Sequence, residues 1–169
     1  AADGVPPLLT LAANVALTSQ SGTRRMPVSE FLQGVRQTAL REDELLTALH
    51  IPAQPQKARS SFVKLGARRY LVISIAMVAA VVWLDGSRKI AGARGAAGAC
   101  SAVAQRLFSL EQCLIGMDIG DLKAFDITPE FLAPLSPIDD VRGSAEYRRS
   151  AAVRLIRDAL SDAMEASDG

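Results

Sequence analysis

The longest uncharged stretch of the chain, residues 70–84, dominates its hydrophobic pattern. Ser74 is the clearly polar residue within it, and β-branched side chains recur along its length. A bilayer-spanning helix needs about 20 apolar residues, so this stretch is too short for one, and its β-branched composition favours a buried strand. Asp85-Gly86 ends the stretch with a strong hairpin signal. Residues 90–99 are therefore predicted to form the returning strand.

Helical periodicity follows the predicted hairpin. Apolar residues recur every three or four positions within 103–116, which predicts a helix there. The segment 118–143 contains three prolines and is predicted to be irregular. A second apolar stripe predicts a C-terminal helix with Ser144 as its N-cap. Its members are Ala152, Leu155, Ile156, Ala159, Leu160 and Ala163.

The beginning of the chain is predicted to form short elements. Pro6-Pro7 suit the first turn of a helix, and Asn14 suits its exit. The polar residues between 15–19 and 23–28 predict a hairpin. Ser29 then suits the cap of a helical turn that a glycine ends five residues later.

Two strands on either side of a polar segment complete the predicted elements. The strand at 44–52 ends at a proline, and the strand at 60–66 follows a segment without an apolar pattern. That segment, 52–60, has two prolines and two glutamines, and it is the best candidate for a linker. We therefore predict an α+β fold in two pieces, residues 1–55 and 58–166.

Composition limits the possible functions. Of the 169 residues, 49% are apolar and 22% are charged, which is typical of a globular protein. The net charge of +1 gives no general attraction to nucleic acid or to anionic lipid. The arginine pairs are scattered and lack interleaved aromatic residues, so nucleic-acid binding is not indicated. Two cysteines at a spacing that fits neither a zinc site nor a disulfide framework suit a reducing, cytoplasmic setting.

Few side chains offer chemistry by their spacing alone. His50 is the single histidine and lies in a predicted strand, so a hydrolytic triad and a metal site are both unsupported. Asp139-Asp140 precedes the C-terminal helix and suits its N-terminus better than acid–base work. Gly92, Gly95 and Gly98 are spaced GxxGxxG, which indicates close packing on a strand and not a phosphate loop. Spacing leaves two options, a binding or structural domain and part of a cofactor site completed elsewhere.

Four stretches of this chain resemble, in order and spacing, one known family. They are "AADGVPPLLTLAA" (1–13), "ELLTALHIP" (44–52), "SFVKLGARRYLVISIAMVA" (61–79) and "PLSPIDDVRGSAEYRRSAAVRLIRDAL" (134–160). They resemble the FAD-binding (medium) subunit of the xanthine dehydrogenase/carbon monoxide dehydrogenase family of molybdenum hydroxylases. The last stretch, with its acidic pair and arginines, looks most like the C-terminal domain of that subunit.

The resemblance implies a fold, an activity and partners. The expected fold is the tail of an FAD-binding α/β domain, followed by a small antiparallel sheet packed with helices. The expected role is electron transfer from iron–sulfur clusters through FAD to NAD or another acceptor. The expected partners are a molybdopterin-binding large subunit and a 2Fe-2S small subunit.

The resemblance also implies cofactor-binding residues: Asp3, Leu45, Leu46, Lys64 and Arg68. Aliphatic side chains suit a flat apolar ring, and a cation near its pyrimidine edge would stabilise the negative charge of the reduced ring. Each residue also has a plainer interpretation. The two leucines fit the core of a strand, the aspartate fits the positive end of a helix, and the two cations fit a solvated strand end.

The chain departs from the family pattern at two places. Family members usually carry an acidic residue shortly after the arginine pair, where Tyr70, Leu71 and Val72 stand here. Their glycine-rich pyrophosphate segments also precede the stretch with which this chain opens, and such loops anchor a dinucleotide through backbone N–H groups. We therefore expect a piece of a longer protein that binds FAD weakly or not at all by itself. The alternative is a non-catalytic assembly module of the same fold.

Overall fold

The computed structural model describes residues 2–68 and 72–165, which form a mixture of helices and antiparallel strands. The elements of the first half are α1 (Val5–Thr10), β1 (Asn14–Ser19), β2 (Gly22–Pro27), α2 (Val28–Phe31), β3 (Leu32–Gly34), β4 (Gln37–Thr38) and β5 (Leu45–His50). Those of the second half are β6 (Arg59–Leu65), β7 (Ala76–Leu84), β8 (Ile90–Gly98), β9 (Gln105–Arg106), α3 (Phe108–Leu114), two 3₁₀ helices (Ile119–Lys123 and Pro129–Leu132) and α4 (Ala145–Glu165). The predicted α+β class is confirmed.

Over the described residues the strands pair in three antiparallel sheets. The first has the order β2-β1-β5, and the second is the short pair β3-β4. The third has the order β6-β7-β8-β9, so β7 and β8 are its central strands. Hairpins join β1 to β2 and β7 to β8, at the two turns predicted from the sequence.

Strand β7 is buried on both faces. Successive side chains of a strand point to opposite faces, and every residue of 76–82 is buried. Val78, Ala80 and Val82 belong to the larger hydrophobic core. The same core contains the apolar stripe of α4, including Ile156 and Leu160, and the buried leucines of α3. The uncharged stretch that stood out in the sequence is thus the centre of the second half.

Helix α1 joins the first half of the chain to the third sheet. It packs against β7 and β8, and the smaller hydrophobic core combines residues of 5–32 with Ala96 of β8. Arg94 donates a hydrogen bond to the Thr10 carbonyl oxygen at 3.2 Å, and Arg106 donates one to the Leu9 carbonyl oxygen at 3.3 Å. Two side chains of the third sheet therefore bind carbonyl groups at the end of α1.

The predicted cap of the C-terminal helix is confirmed. Ser144 accepts a hydrogen bond at its Oγ from the backbone N–H of Tyr147 at 3.2 Å. Asp139 Oδ1 accepts from the backbone N–H of Ala145 at 2.6 Å, so this carboxylate does support the helix start as its position indicated.

Four local predictions are wrong in detail. The helix predicted at 103–116 is shorter, because Gln105 and Arg106 pair with β8 as strand β9 before α3 begins. Ser29 makes no capping hydrogen bond; the turn begins at Val28, and residues 32–34 continue as strand β3. Asn14 starts β1 and does not end α1. The strand predicted through the uncharged stretch begins only at its seventh residue, at the start of β7.

The glycines of β8 differ in whether a side chain would fit at their positions. A Cβ on Gly98 would lie 2.5 Å from Cε of Met77 and 2.8 Å from Cγ of Pro6, and a Cβ on Gly92 would overlap the Trp83 ring. A Cβ on Gly95 would meet nothing within 4 Å. Close packing therefore explains two of the three glycines, and Gly98 allows α1 to approach β8.

Within residues 2–68 and 72–165, no helix is both long and apolar enough to cross a bilayer. The same residues contain no cluster of three or more potential metal-ligating His, Cys, Asp or Glu side chains. Cys100 is buried and Cys113 is exposed, and neither forms a disulfide. The division of the chain into residues 1–55 and 58–166 stays a prediction.

Candidate functional site

Asp3, Lys64 and Ser74 meet in one hydrogen-bonded cluster, although they lie far apart in the sequence. Lys64 Nζ donates to Asp3 Oδ2 at 2.5 Å and to the carbonyl oxygen of Val72 at 2.8 Å. Ser74 Oγ donates to the other carboxylate oxygen, Oδ1 of Asp3, at 2.7 Å. The Lys64 side chain is 27% exposed and the Asp3 side chain 41%, so the cluster is accessible from solvent.

The elements around this cluster determine its geometry. Asp3 lies just before α1, but its carboxylate makes no capping contact with that helix. Lys64 is the penultimate residue of β6, and Ser74 lies in the segment that leads into β7. The hydrogen bond from Lys64, aided by the one from Ser74, lowers the pKa of Asp3 below its usual value. The cluster is therefore an ion pair with one hydroxyl bound to it.

Asp140, Arg142 and Arg148 form a second charged group, which binds the backbone beside the cluster. Arg142 Nη1 donates to the carbonyl oxygen of Ser74 at 3.0 Å. Asp140 binds Arg142 through Nε and Nη2 and also accepts from Nη2 of Arg148 at 2.5 Å. Arg148 in turn donates to the carbonyl oxygens of Ile75 and Ala99, at 2.6 and 3.0 Å. The two guanidinium groups hold the pKa of Asp140 well below its usual range.

Arg148 is the largest fully buried side chain among the described residues, with 1% of it exposed. Its Nε is buried without a hydrogen-bond partner. The remaining nitrogens are occupied by Asp140 and by two backbone carbonyl groups. A buried cation of this kind is stable only when paired, so the three acceptors explain how α4 can carry it into the core.

A cleft of about 960 Å³ has Arg142 in its lining but none of Asp3, Lys64 and Ser74. Its walls are mostly apolar, and the charged residues lining it are all arginines. Its apolar residues include Val5, Leu32, Val35, Met77, Val103 and Ile138, and its arginines are Arg36, Arg142 and Arg148. Arg142 both lines the cleft and binds the backbone of Ser74, so it is the residue at which the cleft and the cluster meet. An apolar cleft with cationic groups suits a flat ligand that carries negative charge.

Leu45 and Leu46 lie on β5, in the other sheet. They are 72% and 43% exposed, so neither is a core residue of the described structure. Consecutive residues of a strand point to opposite faces, and one flat ligand could therefore contact only one of them face to face. Leu49 and Ile51 are also exposed, at 50% and 52%. Apolar side chains thus remain uncovered along this strand and just beyond it.

Arg68 follows the end of β6 and is exposed. Of the region where the chain departs from the family pattern, Tyr70 and Leu71 lie outside the described residues. Val72 contributes its carbonyl oxygen to Lys64. The backbone of this region thus takes part in the cluster even though the acidic side chain expected there is absent.

Reasoning from the sequence missed the part played by Ser74. Its signal was present, because it was the clearly polar residue within the uncharged stretch, and it is now found to be fully buried. A buried hydroxyl needs a hydrogen-bond partner. The partner of Ser74 is Asp3, 71 residues away, which could not be identified without the fold.

The fold and the site together define an α+β domain with an Asp–Lys ion pair that is connected through Arg142 to an apolar cleft. Comparison with family models gives the family. Residues 61–163 match the CO dehydrogenase flavoprotein C-terminal domain, and residues 1–54 match the FAD binding domain in molybdopterin dehydrogenase. The first match covers more than half of the chain, and the chain therefore belongs to the CO dehydrogenase flavoprotein family, whose cofactor is FAD.

Individual relatives agree with this assignment. The chain is 33% identical over 165 residues to the nicotine 6-hydroxylase medium subunit of Paenarthrobacter nicotinovorans, covering 96% of this chain and 56% of that protein. It is 29% identical to the carbon monoxide dehydrogenase medium chain of Afipia carboxidovorans, over 90% of this chain and 52% of that one. The structure matches a crystal structure of Cu,Mo-CO dehydrogenase with a TM-score of 0.86 and 27% identity, over 98% of this chain and 57% of that one.

The chain spans about half the length of these relatives. The resemblance noted in the sequence is confirmed at the level of family, fold and cofactor.

Proposed function

We propose that this chain is part of the FAD subunit of a molybdenum hydroxylase, and that the intact subunit passes electrons from iron–sulfur clusters through FAD to NAD or another acceptor. The observation that carries the proposal is the Asp3–Lys64 pair. Two independent segments of the family resemblance meet there, with Lys64 Nζ 2.5 Å from the carboxylate.

The residues present fit one end of FAD. An ammonium group has three N–H donors, and described residues take two of those of Lys64. The third is available to a carbonyl oxygen on the pyrimidine edge of the flavin. Leu45 or Leu46 would contact the ring, and Arg68 would add positive charge nearby. Bound FAD supplies the electron-accepting ring, and Lys64 orients that ring and stabilises the negative charge that reduction adds.

The remainder of the cofactor would need other groups. The pyrophosphate of a dinucleotide is usually anchored by backbone N–H groups on glycine-rich loops, and this chain offers none in that context. We therefore expect residues 1–169 alone to bind FAD weakly or not at all. The visible absorbance spectrum of the purified chain checks this, and a stoichiometric flavin spectrum would contradict it.

Partners and location complete the proposal. By analogy with the multi-subunit relatives, the intact protein would assemble with a molybdopterin-binding large subunit and a 2Fe-2S small subunit, in the cytoplasm. Residues 1–55 would be the end of the FAD-binding domain, and residues 58–166 would be the C-terminal domain. Co-purification of the three subunits from the native source tests the assembly.

A second candidate is a non-catalytic assembly module of the same fold. The exposed apolar side chains of β5 favour it, because such a strand invites contact with another polypeptide. The two candidates differ in whether the intact protein retains FAD.

The deciding experiment is Lys64→Ala in the intact protein, with FAD content and rate of FAD reduction as the measurements. Loss of a hydrogen bond to a charged group predicts about tenfold weaker retention or slower reduction. The matched control is Lys123→Ala, which removes an exposed lysine paired with Glu165 at 3.2 Å. If Lys64→Ala behaves like this control, Lys64 is only a surface charge; if the intact protein contains no FAD at all, the assembly module is the better proposal.

A further inference from the structure

We infer that Ser74, oriented by Arg142, is a positioning residue of the flavin site, whose hydroxyl holds Asp3 in the arrangement that anchors Lys64. The inference rests on the proposed function, because it assigns Ser74 to the same site. It adds a residue that acts through Asp3 and Lys64 and does not itself touch the flavin.

The first step concerns the hydroxyl of Ser74. Ser74 is fully buried among apolar neighbours in the sequence, where an unpaired hydroxyl would be costly. A hydroxyl has one hydrogen to donate, and Ser74 gives it to Oδ1 of Asp3 at 2.7 Å. Lys64 occupies the other oxygen. The two oxygens of Asp3 are thus divided between the two donors, which fixes the rotation of the carboxylate.

The second step concerns the backbone of Ser74. Its carbonyl oxygen accepts from Arg142 at 3.0 Å, and that of the next residue, Ile75, accepts from Arg148 at 2.6 Å. Asp140 binds both arginines. The backbone N–H of Ile75 donates to the Leu65 carbonyl oxygen at 2.8 Å, one residue beyond Lys64. The position of Ser74 is therefore determined from two sides before β7 begins.

The third step links Ser74 to Lys64. Asp3 is 41% exposed and lies in the loop before α1, so a single contact with Lys64 would leave it free to turn toward solvent. The bond from Ser74 prevents this and adds to the lowering of the Asp3 pKa that Lys64 causes. Among the described residues, the charged groups near Asp3 include Lys64 on β6 and, beyond Ser74, Arg142. With Asp3 ionised and fixed, the remaining N–H of Lys64 has a defined position for a flavin acceptor.

The test uses the intact protein with Ser74→Ala. In the FAD-free protein, the pKa of the Asp3 carboxyl is followed by ¹³C NMR, with Asp3→Asn assigning its signal. We expect Ser74→Ala to shift this pKa upward, because a donor to the charged form is lost. In the FAD-loaded protein, we expect FAD to dissociate about threefold to tenfold faster. Ser74→Thr keeps the hydroxyl and should restore both values.

The control is Ser87→Ala. Ser87 Oγ donates to Oδ1 of Asp85 at 2.8 Å in the β7–β8 turn, so this variant removes the same type of bond far from the cluster. It should change neither the Asp3 pKa nor FAD dissociation. Ser74→Cys, similar in size and a weak donor, replaces Ser74→Ala if that variant does not fold, with the same expected direction.

Two results would overturn the inference. The first is an Asp3 pKa that is the same with Ser74, Ala or Cys at this position. The second is an upward pKa shift without faster FAD dissociation, while Lys64→Ala does release FAD. If the intact protein contains no FAD at all, the proposed function itself fails, although the Asp3 pKa would still respond to Ser74. The NMR measurement thus distinguishes failure of the inference about Ser74 from failure of the proposed function.

Discussion

Strands β5 and β7 are both rich in apolar residues, yet they meet opposite conditions in the fold. β7 lies between β6 and β8 and is buried on both faces over residues 76–82. β5 lies at the edge of its sheet, next to β1 alone, and Leu45 and Leu49 are 72% and 50% exposed. The helices that pack on a strand, and not its hydrophobicity alone, decide how much of it is covered, and β7 packs against both α1 and α4. β7 is thus covered on both faces, whereas β5 leaves apolar side chains exposed.

The largest expected effect is at the buried cation of the second half. Arg148→Met removes one of the two arginine partners of Asp140, and with it the side-chain donor to two backbone carbonyl oxygens. Breaking a buried ion pair in this way costs about 3–5 kcal/mol of unfolding free energy. Urea unfolding followed by circular dichroism measures the loss. Arg149→Ala, at the exposed neighbouring position, is the control and should change stability by less than about 0.5 kcal/mol.

The next prediction compares the two regions directly. Ile156→Ala creates a cavity between α4 and the third sheet, because Ile156 is 1% exposed, and should cost about 2–5 kcal/mol. Leu45→Ala removes an exposed side chain and should cost less than about 0.5 kcal/mol. Both are measured by urea unfolding. A large loss for Leu45→Ala would mean that β5 is covered in solution, and the contrast between the regions would then disappear.

The contact between the two regions is tested at Gly98. Gly98→Ala places a methyl group against Met77 and Pro6, and this overpacking should cost about 1–3 kcal/mol. Gly95→Ala, three residues earlier on the same strand, meets open space and should be neutral or stabilising by less than about 1 kcal/mol. Thermal unfolding of the two variants distinguishes the positions. Equal effects would show that α1 does not press closely on β8.

The smallest effect is expected in the first half, and it depends on pH. Arg24 binds both oxygens of Glu44, at 2.6 and 2.9 Å, and this contact lowers the pKa of Glu44 from 4.5 to about 2. A depressed folded-state pKa contributes stability above the unfolded pKa, and the contribution disappears as pH falls through the folded value. Stability should therefore decrease between about pH 4.5 and pH 2. Glu44→Gln should remove the part of this pH dependence that Glu44 causes. Urea unfolding at several pH values measures the free energy of unfolding of both proteins.

Local pattern predicted the elements whose burial follows from their own sequence. β7, the Asp85-Gly86 turn and α4 with its Ser144 cap are of this kind, because period and turn chemistry are sufficient to specify them. β9 could not be predicted, since Gln105 and Arg106 are extended only through pairing with β8. Tertiary pairing here overrides the local helical pattern.

Part of the candidate site could also be predicted from the sequence. Resemblance to the family named Asp3 and Lys64, and the structure brings them into contact, although their role toward FAD is still a proposal. Ser74 was recognisable only as an unexplained polar residue, because its partner lies 71 residues away. The sequence did not indicate that Arg148 is buried, because its burial depends on the carbonyl groups of Ile75 and Ala99, which are distant in the sequence.

The spacing of the site residues has a consequence for the order of events during synthesis. Lys64 must find Asp3 61 residues earlier, and Arg142 must reach the Ser74 carbonyl oxygen 68 residues earlier. Contacts of such long sequence separation form late, since the loop they close costs entropy before any contact rewards it. Helix α4 would have to leave the ribosome before Arg142 and Arg148 could bind the backbone of Ser74 and Ile75. The cluster of Asp3, Lys64 and Ser74 would thus mature only after α4 has been synthesised, and any binding that depends on the cluster would follow that step.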